Sequence, residues 1–240
     1  VRGLCVGVYP TSPWNEVAYV LEHSDASIVV CEDQEQTDKV LEAWPQLPQL
    51  KYTIAIDMKG LRYYPEPPTA FEDIEARGRA FEKDHPGLVD ELLDGQRVDD
   101  IALMIYTSGS TGRPKGAMIS WGNLHAAAPG LIELLQADER GSCLSYLPLC
   151  HVAEQAVTNI APVYAGSSVS FGESLRTVQE DLREIAPTFF LGVPRIWEKL
   201  HSSIYIKIQE TGRFRRVLFD WAIRACSPMA TKSRAQWSLK

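Results

Sequence analysis

No run in the 240 residues approaches the roughly 20 consecutive apolar residues that a transmembrane helix needs. The first residues also lack a basic segment followed by an apolar one, so neither a membrane span nor a secretory leader is predicted. Five cysteines, at positions 5, 31, 143, 150 and 226, are too few, too scattered and odd in number for a disulfide framework. No C-x-x-C occurs, which removes the usual zinc ribbons, and reduced thiols in a cytoplasmic setting are expected. A net charge of −7 with a pI near 5.3 leaves no overall basic footprint, and no nucleic-acid partner is expected. Repeats and low-complexity tracts are missing as well. The first residue is Val1 inside a strand-like run rather than Met, so the chain is expected to begin within a longer protein.

What remains is ordinary globular material, 45% hydrophobic and 23% charged, and long enough to bury a sizeable core. Strand-like and helical runs alternate, the pattern of parallel sheets covered by helices, and the fold class expected is α/β. Residues 3–9 read as a strand; Ser12 reads as the cap of a helix with Pro13 in its first turn and Val17, Val20 and Leu21 facing inward. Further strands are expected over 26–31 and 52–56, with a helix over 36–44 between them. A Pro-rich patch at 64–68 closes that first unit, 1–98, after which residues 70–94 read as an acidic helical insert broken at Gly78 and Pro86.

A second unit, 99–240, opens on the apolar run 101–106 and continues with strands expected at 145–149, 168–171 and 188–192. Leu175, Val178, Leu182 and Ile185 mark one face of an intervening helix. Charge is uneven: residues 195–240 hold ten Lys/Arg against three Asp/Glu, a local balance of +7 on an acidic body of −14. Such an end suits peripheral contact with an anionic membrane. It equally suits a solvated surface helix, since Phe214, Val217, Leu218, Trp221 and Ala225 share a helical face with Arg213, Arg216 and Arg224 elsewhere on the wheel.

The segment Tyr106-Thr107-Ser108-Gly109-Ser110-Thr111-Gly112-Arg113-Pro114-Lys115-Gly116 concentrates hydroxyls, glycines and a lysine in one short turn. Glycine lets backbone N–H groups approach an anion, the Ser and Thr hydroxyls donate hydrogen bonds or offer oxygens to Mg²⁺, and Lys115 supplies a point charge. This is the composition of a phosphate-holding loop rather than of a linker. Walker A is excluded because Pro114 and Gly116 flank Lys115 where Gly and Ser/Thr are required, which disfavours an ordinary ATPase or kinase. No Gly-x-Ser-x-Gly elbow occurs and no Ser stands three before Lys115, so serine hydrolase and β-lactamase chemistry fail too. Ala117-Met118-Ile119 continues as strand, so no helix dipole stands behind the loop.

This segment resembles the AMP-binding motif of the adenylate-forming superfamily. Leu147-Pro148-Leu149-Cys150-His151-Val152 and Gly192-Val193-Pro194-Arg195-Ile196-Trp197-Glu198-Lys199 are similar to segments lining the acyl site in its long-chain fatty acid–CoA ligase subgroup. Val8-Tyr9-Pro10-Thr11-Ser12 and Val29-Val30-Cys31-Glu32-Asp33-Gln34 resemble early strand ends of the same subgroup, so the likeness runs from residue 1 to about Trp221. It implies part of the large N-terminal domain of an adenylate-forming enzyme that activates a long-chain fatty acid with ATP and Mg²⁺ and passes it to coenzyme A.

By that resemblance Thr107, Ser108, Gly109, Ser110, Thr111, Gly112 and Lys115 hold the ATP phosphates, with Thr111 and Lys115 catalytic and Thr107 the candidate Mg²⁺ ligand. His151, also a catalytic candidate, faces the activated carboxylate, or simply caps a helix. Gly192, Pro194 and Trp197 border the acyl tunnel, although Trp197 with Leu200, Ile204 and Ile208 also fits plain core. Cys150 beside His151 lacks an orienting third group and reads poorly as a nucleophile; His151 with Glu154 makes an incomplete metal set.

The later motifs of such enzymes, an aromatic-x-Thr-Glu element, a Thr-Gly-Asp for the ribose and a mobile C-terminal domain with its lysine, do not occur in these residues. The chain is therefore expected to be an N-terminal portion, incomplete as an AMP-binding domain and inactive alone. Competing readings are a fatty acyl-AMP ligase feeding a carrier protein, a synthetase for aryl or short acids, and a non-catalytic nucleotide- or lipid-binding module.

Overall fold

A computed structural model of the chain describes residues 3–107 and 112–237, with side chains as far as Cys226. In chain order come β1 (Cys5–Val6), α1 (Trp14–His23), β2 (Ile28–Cys31), α2 (Gln34–Ala43), β3 (Tyr52–Ala55) and β4 (Thr69–Ala70). Next are α3 (Phe71–Asp84), α4 (Leu88–Asp94), β5 (Ile101–Thr107), β6 (Lys115–Ser120) and α5 (Trp121–Leu135). The rest comprises β7 (Ser142–Ser145), α6 (Val152–Glu154) running into a π-helical stretch (Gln155–Ile160), α7 (Ala161–Ala165), β8 (Ser168–Phe171), α8 (Val178–Ile185), α9 (Pro194–Gln209) and α10 (Arg213–Trp237).

Two compact units result, Val1–Phe189 and Phe190–Lys240. The first runs across the division expected at 98/99, because β1 pairs with β5 in parallel through Cys5↔Leu103 and Val6↔Met104. Three sheets lie in it, ordered β1-β5-β6, β2-β3-β4 and β7-β8. The α/β class holds, and pairing is parallel except between β5 and β6, which form an antiparallel hairpin.

The core of this unit gathers where α1 and α2 cover one face of β2 and β3. Val17, Ala18 and Leu21 of α1 meet Cys31, Val40, Ala43, Leu47 and Leu50. Removing that apolar surface from water is the main force fixing α1, at about 25 cal/mol per Å² buried. Burial also sets the chemistry of Cys31, whose thiol it pushes up.

Several expected boundaries move for identifiable reasons. Ser12 does not cap α1: Pro13 occupies the N-cap with extended backbone, no side chain caps the helix, and Ser12 N donates to Tyr9 O in the preceding turn. Helix α2 starts earlier than expected because Asp33 caps it, accepting from Gln36 N at 3.0 Å. Gly78 does not interrupt α3; the break falls at 85–87, where Gly87 takes φ +83°. The strand expected at 145–149 is β7, over Ser142–Ser145, since Pro148 has no N–H to give to a ladder. Of the strand expected at 188–192 there remains a single parallel bridge, Cys143↔Phe189. Leu175 lies before α8 and is exposed, while Val178 is buried as expected.

In the second unit, α9 and α10 pack on each other locally. Ile196 is its buried side chain among the described residues, and Phe214, Val217, Leu218 and Trp221 are exposed.

Candidate active site

The hairpin of β5 and β6 flanks the candidate phosphate segment. Its last pair is Thr107↔Lys115, preceded by Tyr106↔Gly116 and Ile105↔Ala117. Strand side chains alternate faces, so Thr107 and Lys115 stand on one face and Tyr106 on the other. Directly opposed residues of an antiparallel pair bring their Cβ atoms to about 5 Å, which sets the Thr107 hydroxyl beside the root of the Lys115 side chain. Both residues are exposed. Lys115 thus belongs to a strand rather than to the loop, and the hairpin gives it a fixed origin.

Ser108, Gly109, Ser110 and Thr111 lie outside the described residues. Gly112, the next one described, adopts φ +107°, a conformation that side-chain-bearing residues rarely enter. Gly116 is needed for a different reason. A Cβ there would sit 2.7 Å from Met104 Sδ and 3.2 Å from the Tyr106 ring, so its absence lets the two strands close. Beyond β6, Ser120 and Asn123 form a capping box that starts α5. At about 3.4 Å per residue this helix end lies roughly 17 Å from Lys115, so the dipole of α5 does not stand directly behind the segment.

Two residues that the sequence did not mark, Tyr19 and His23 of α1, reach both ends of the segment. Tyr19 Oη donates to Pro114 O at 2.8 Å, and the Arg113 guanidinium lies 5.2 Å above the Tyr19 ring. His23 Nδ1 shares a hydrogen bond of 2.7 Å with Tyr106 Oη. Tyr106 is buried, and loss of solvent, followed by the neighbouring Tyr19, raises its phenol above the ordinary range. It therefore stays protonated. The only signal in the sequence was the i, i+4 spacing of two polar aromatic residues beside an inward apolar stripe.

The 147–152 segment reaches the same edge of the first unit. β1 and β5 run in parallel, so the chain leaving β1 at Gly7–Tyr9 and the chain leaving β5 at Thr107 emerge together. Gly7 abuts Cys150, whose Cα would lie 2.7 Å from a Cβ at that position, and the Tyr9 and His151 rings meet edge to face at 6.1 Å. His151 is half-buried and occupies the N-cap of α6, as the capping alternative expects, although its side chain makes no cap bond. Cys150 is buried, and burial raises its thiol although Tyr9 hydrogen-bonds to it. A protonated, enclosed thiol is no nucleophile.

Glu154 is buried as well, accepting from Thr158 Oγ1 at 2.7 Å and Tyr146 N at 3.2 Å, so its carboxylate is spent on structure. No cluster of three His, Cys, Asp or Glu suited to a metal occurs among the described residues. Gly192, Pro194 and Trp197 belong to the second unit. Trp197 is 52% exposed, and its indole donates to Gly192 O at 2.7 Å. Two cavities lie elsewhere in the first unit: one of about 590 Å³ borders Arg97, Trp121, His125 and Tyr164, and one of about 330 Å³ borders Asp57, Lys59 and Arg62.

The hairpin places Thr107 and Lys115 at the two ends of the Gly/Ser/Thr segment, on the carboxyl edge of the parallel β1–β5 pair, where open α/β sheets bind ligands. The model of the AMP-binding enzyme family matches residues 1–234, and the chain belongs to that family. Long-chain-fatty-acid–CoA ligase ACSBG2 of Rattus norvegicus is 31% identical over 233 residues, covering 92% of this chain and 34% of that protein. ACSBG2 of Gallus gallus is 36% identical over 229 residues, covering 92% of this chain and 29% of the relative. The fold is shared with a malonyl-CoA ligase solved with methylmalonyl-CoA and AMP, at a TM-score of 0.60 and 24% identity over 85% of this chain and 37% of that one. The chain spans about a third of the length of the curated relatives it matches.

Proposed function

We propose that the protein carrying this sequence activates a long-chain fatty acid in two steps, first to the acyl-adenylate with release of pyrophosphate, then to the coenzyme A thioester. The observation that carries the reading is the likeness to long-chain-fatty-acid–CoA ligases over 92% of the chain, anchored on the Thr107–Lys115 hairpin. In the first step a carboxylate oxygen attacks the α-phosphorus of ATP and the bond to the β-phosphate oxygen breaks. Negative charge grows on the departing pyrophosphate. Lys115 meets that charge with its ammonium, and Ser108, Gly109, Ser110, Thr111 and Gly112 supply hydroxyl and amide donors.

Thr107 offers a hard oxygen next to Lys115, the kind of single protein ligand that suffices for Mg²⁺ accompanying a nucleotide, and it fits that role. Bound there, Mg²⁺ would neutralise phosphate charge. His151, at the same edge, orients the fatty acid carboxylate, and Gly192, Pro194 and Trp197 border its chain. The five free cysteines support a reducing, cytoplasmic setting, and the basic 195–240 region supports peripheral contact with an anionic membrane. No helix among the described residues is long and apolar enough to cross a membrane.

The test is fatty-acid-dependent ATP–pyrophosphate exchange in the full-length protein, run with long-chain, short and aryl acids. Lys115→Ala is expected to lower exchange by about 100-fold or more while fatty acid binding persists; exchange at the unsubstituted rate sinks the assignment. Transfer of labelled acyl groups to free coenzyme A rather than to a carrier protein separates the ligase from an acyl-AMP ligase. Trp197→Ala is expected to alter chain-length preference, and an unaltered preference removes it from the tunnel.

A further inference from the structure

Both ends of the phosphate segment are tied to a single element that is distant in sequence. Tyr19 and His23 are four residues apart and project from the same side of α1. Tyr19 holds the returning arm through Pro114 O at 2.8 Å and carries the Arg113 guanidinium over its ring. His23 holds the outgoing arm through Tyr106 Oη at 2.7 Å. The Tyr19 ring also meets the Tyr106 ring edge to face at 6.4 Å, which closes the contact between the two arms. The opposite side of α1 is locked into the core by Val17, Ala18 and Leu21, so the element making these contacts is itself immobile.

We propose that Tyr19 and His23 are positioning residues for adenylation: a brace that fixes the separation of Tyr106 and Pro114 and thereby holds Thr107 and Lys115 ready for the nucleotide. This rests on the function proposed above and deepens it. Neither side chain touches a reacting atom. Their effect passes through the backbone at Pro114 and the side chain at Tyr106, one residue from Lys115 on one arm and one residue from Thr107 on the other. Preorganisation of this kind spares the nucleotide the cost of ordering its own site.

The experiment is steady-state exchange in the full-length protein with Tyr19→Phe, His23→Ala and His23→Asn. Tyr19→Phe keeps the ring and its Arg113 contact and deletes only the hydroxyl to Pro114. A hydrogen bond of this class contributes enough that the KM for ATP and for pyrophosphate should each rise about three- to tenfold in Tyr19→Phe and His23→Ala, with the KM for the fatty acid unchanged. His23→Asn places an amide near the position of Nδ1 and should recover most of the loss. Variants that lower the melting temperature but leave the ATP KM alone, or that raise the fatty acid KM as much as the ATP KM, overturn the brace, as does an Asn variant no better than Ala. If the unsubstituted protein shows exchange and the variants match it, the brace alone fails; if the unsubstituted protein shows none, the adenylation reading fails and takes the brace with it.

Discussion

The two compact units put similar apolar content to different use. In Val1–Phe189 the stripe on α1 ends in contact, with Val17, Ala18, Val20 and Leu21 all buried. In Phe190–Lys240 the stripe on α10 is equally regular, yet Phe214, Val217 and Trp221 are 80%, 68% and 66% exposed. Periodicity states which residues want burial and not whether burial is achieved. Where it is achieved, packing fixes the helix; where it is not, order rests on local hydrogen bonds and propensity, which are weak for any single helix.

The contrast can be broken by substitution. Leu21→Ala should destabilise the first unit most, by about 2–5 kcal/mol in denaturant unfolding, because a side chain enclosed by α2 and β2 leaves a cavity. A loss below 0.5 kcal/mol would show that this cluster does not hold α1. Gly116→Ala should cost about 1–3 kcal/mol by forcing a Cβ onto Met104 Sδ, and normal stability would mean that the hairpin yields freely.

A smaller effect comes from pH. Burial raises the Cys143 thiol from 9.0 to about 11, with Glu154 adding to the shift. The folded state therefore holds a proton that the unfolded chain releases between those values, so this contribution is present below about pH 9 and fades as pH climbs toward 11. Stability curves for Cys143→Ser and the unsubstituted chain should converge over that window. Alkylation mapped by mass spectrometry should reach Cys5 and Cys226 first and Cys31, Cys143 and Cys150 only on unfolding. Least of all, Trp221→Ala in the second unit should alter stability by no more than about 0.5 kcal/mol; a core-sized loss would mean that α10 buries this face after all.

Much of the site was readable because its chemistry is local. Gly112, Thr107 and Lys115 were visible as a run of residue types, and the inward face of α1 as a period. β8 falls on residues 168–171 as expected because Gly166 and Gly172 bracket a short alternating Ser-Val-Ser-Phe run and leave little choice. What escaped was relational. Nothing local says that β6 returns antiparallel to β5, or that Tyr19 lies against Pro114, 95 positions away. Pro13 taking the cap instead of Ser12, and Gly78 riding inside α3, show the same limit at smaller scale: signals one residue apart compete, and a solvated helix tolerates one glycine for about 1 kcal/mol.

The lysine's place on a strand makes the motif vulnerable to a kind of lesion that leaves its spelling intact. Deleting Ala117 would preserve every letter from Tyr106 to Gly116, yet re-pairing of the shortened β6 with β5 would slide the register by one position. The ammonium of Lys115 would then swing to the flank occupied by Tyr19 and His23, and a protein matching the family pattern letter for letter would carry its lysine on the wrong side of the hairpin.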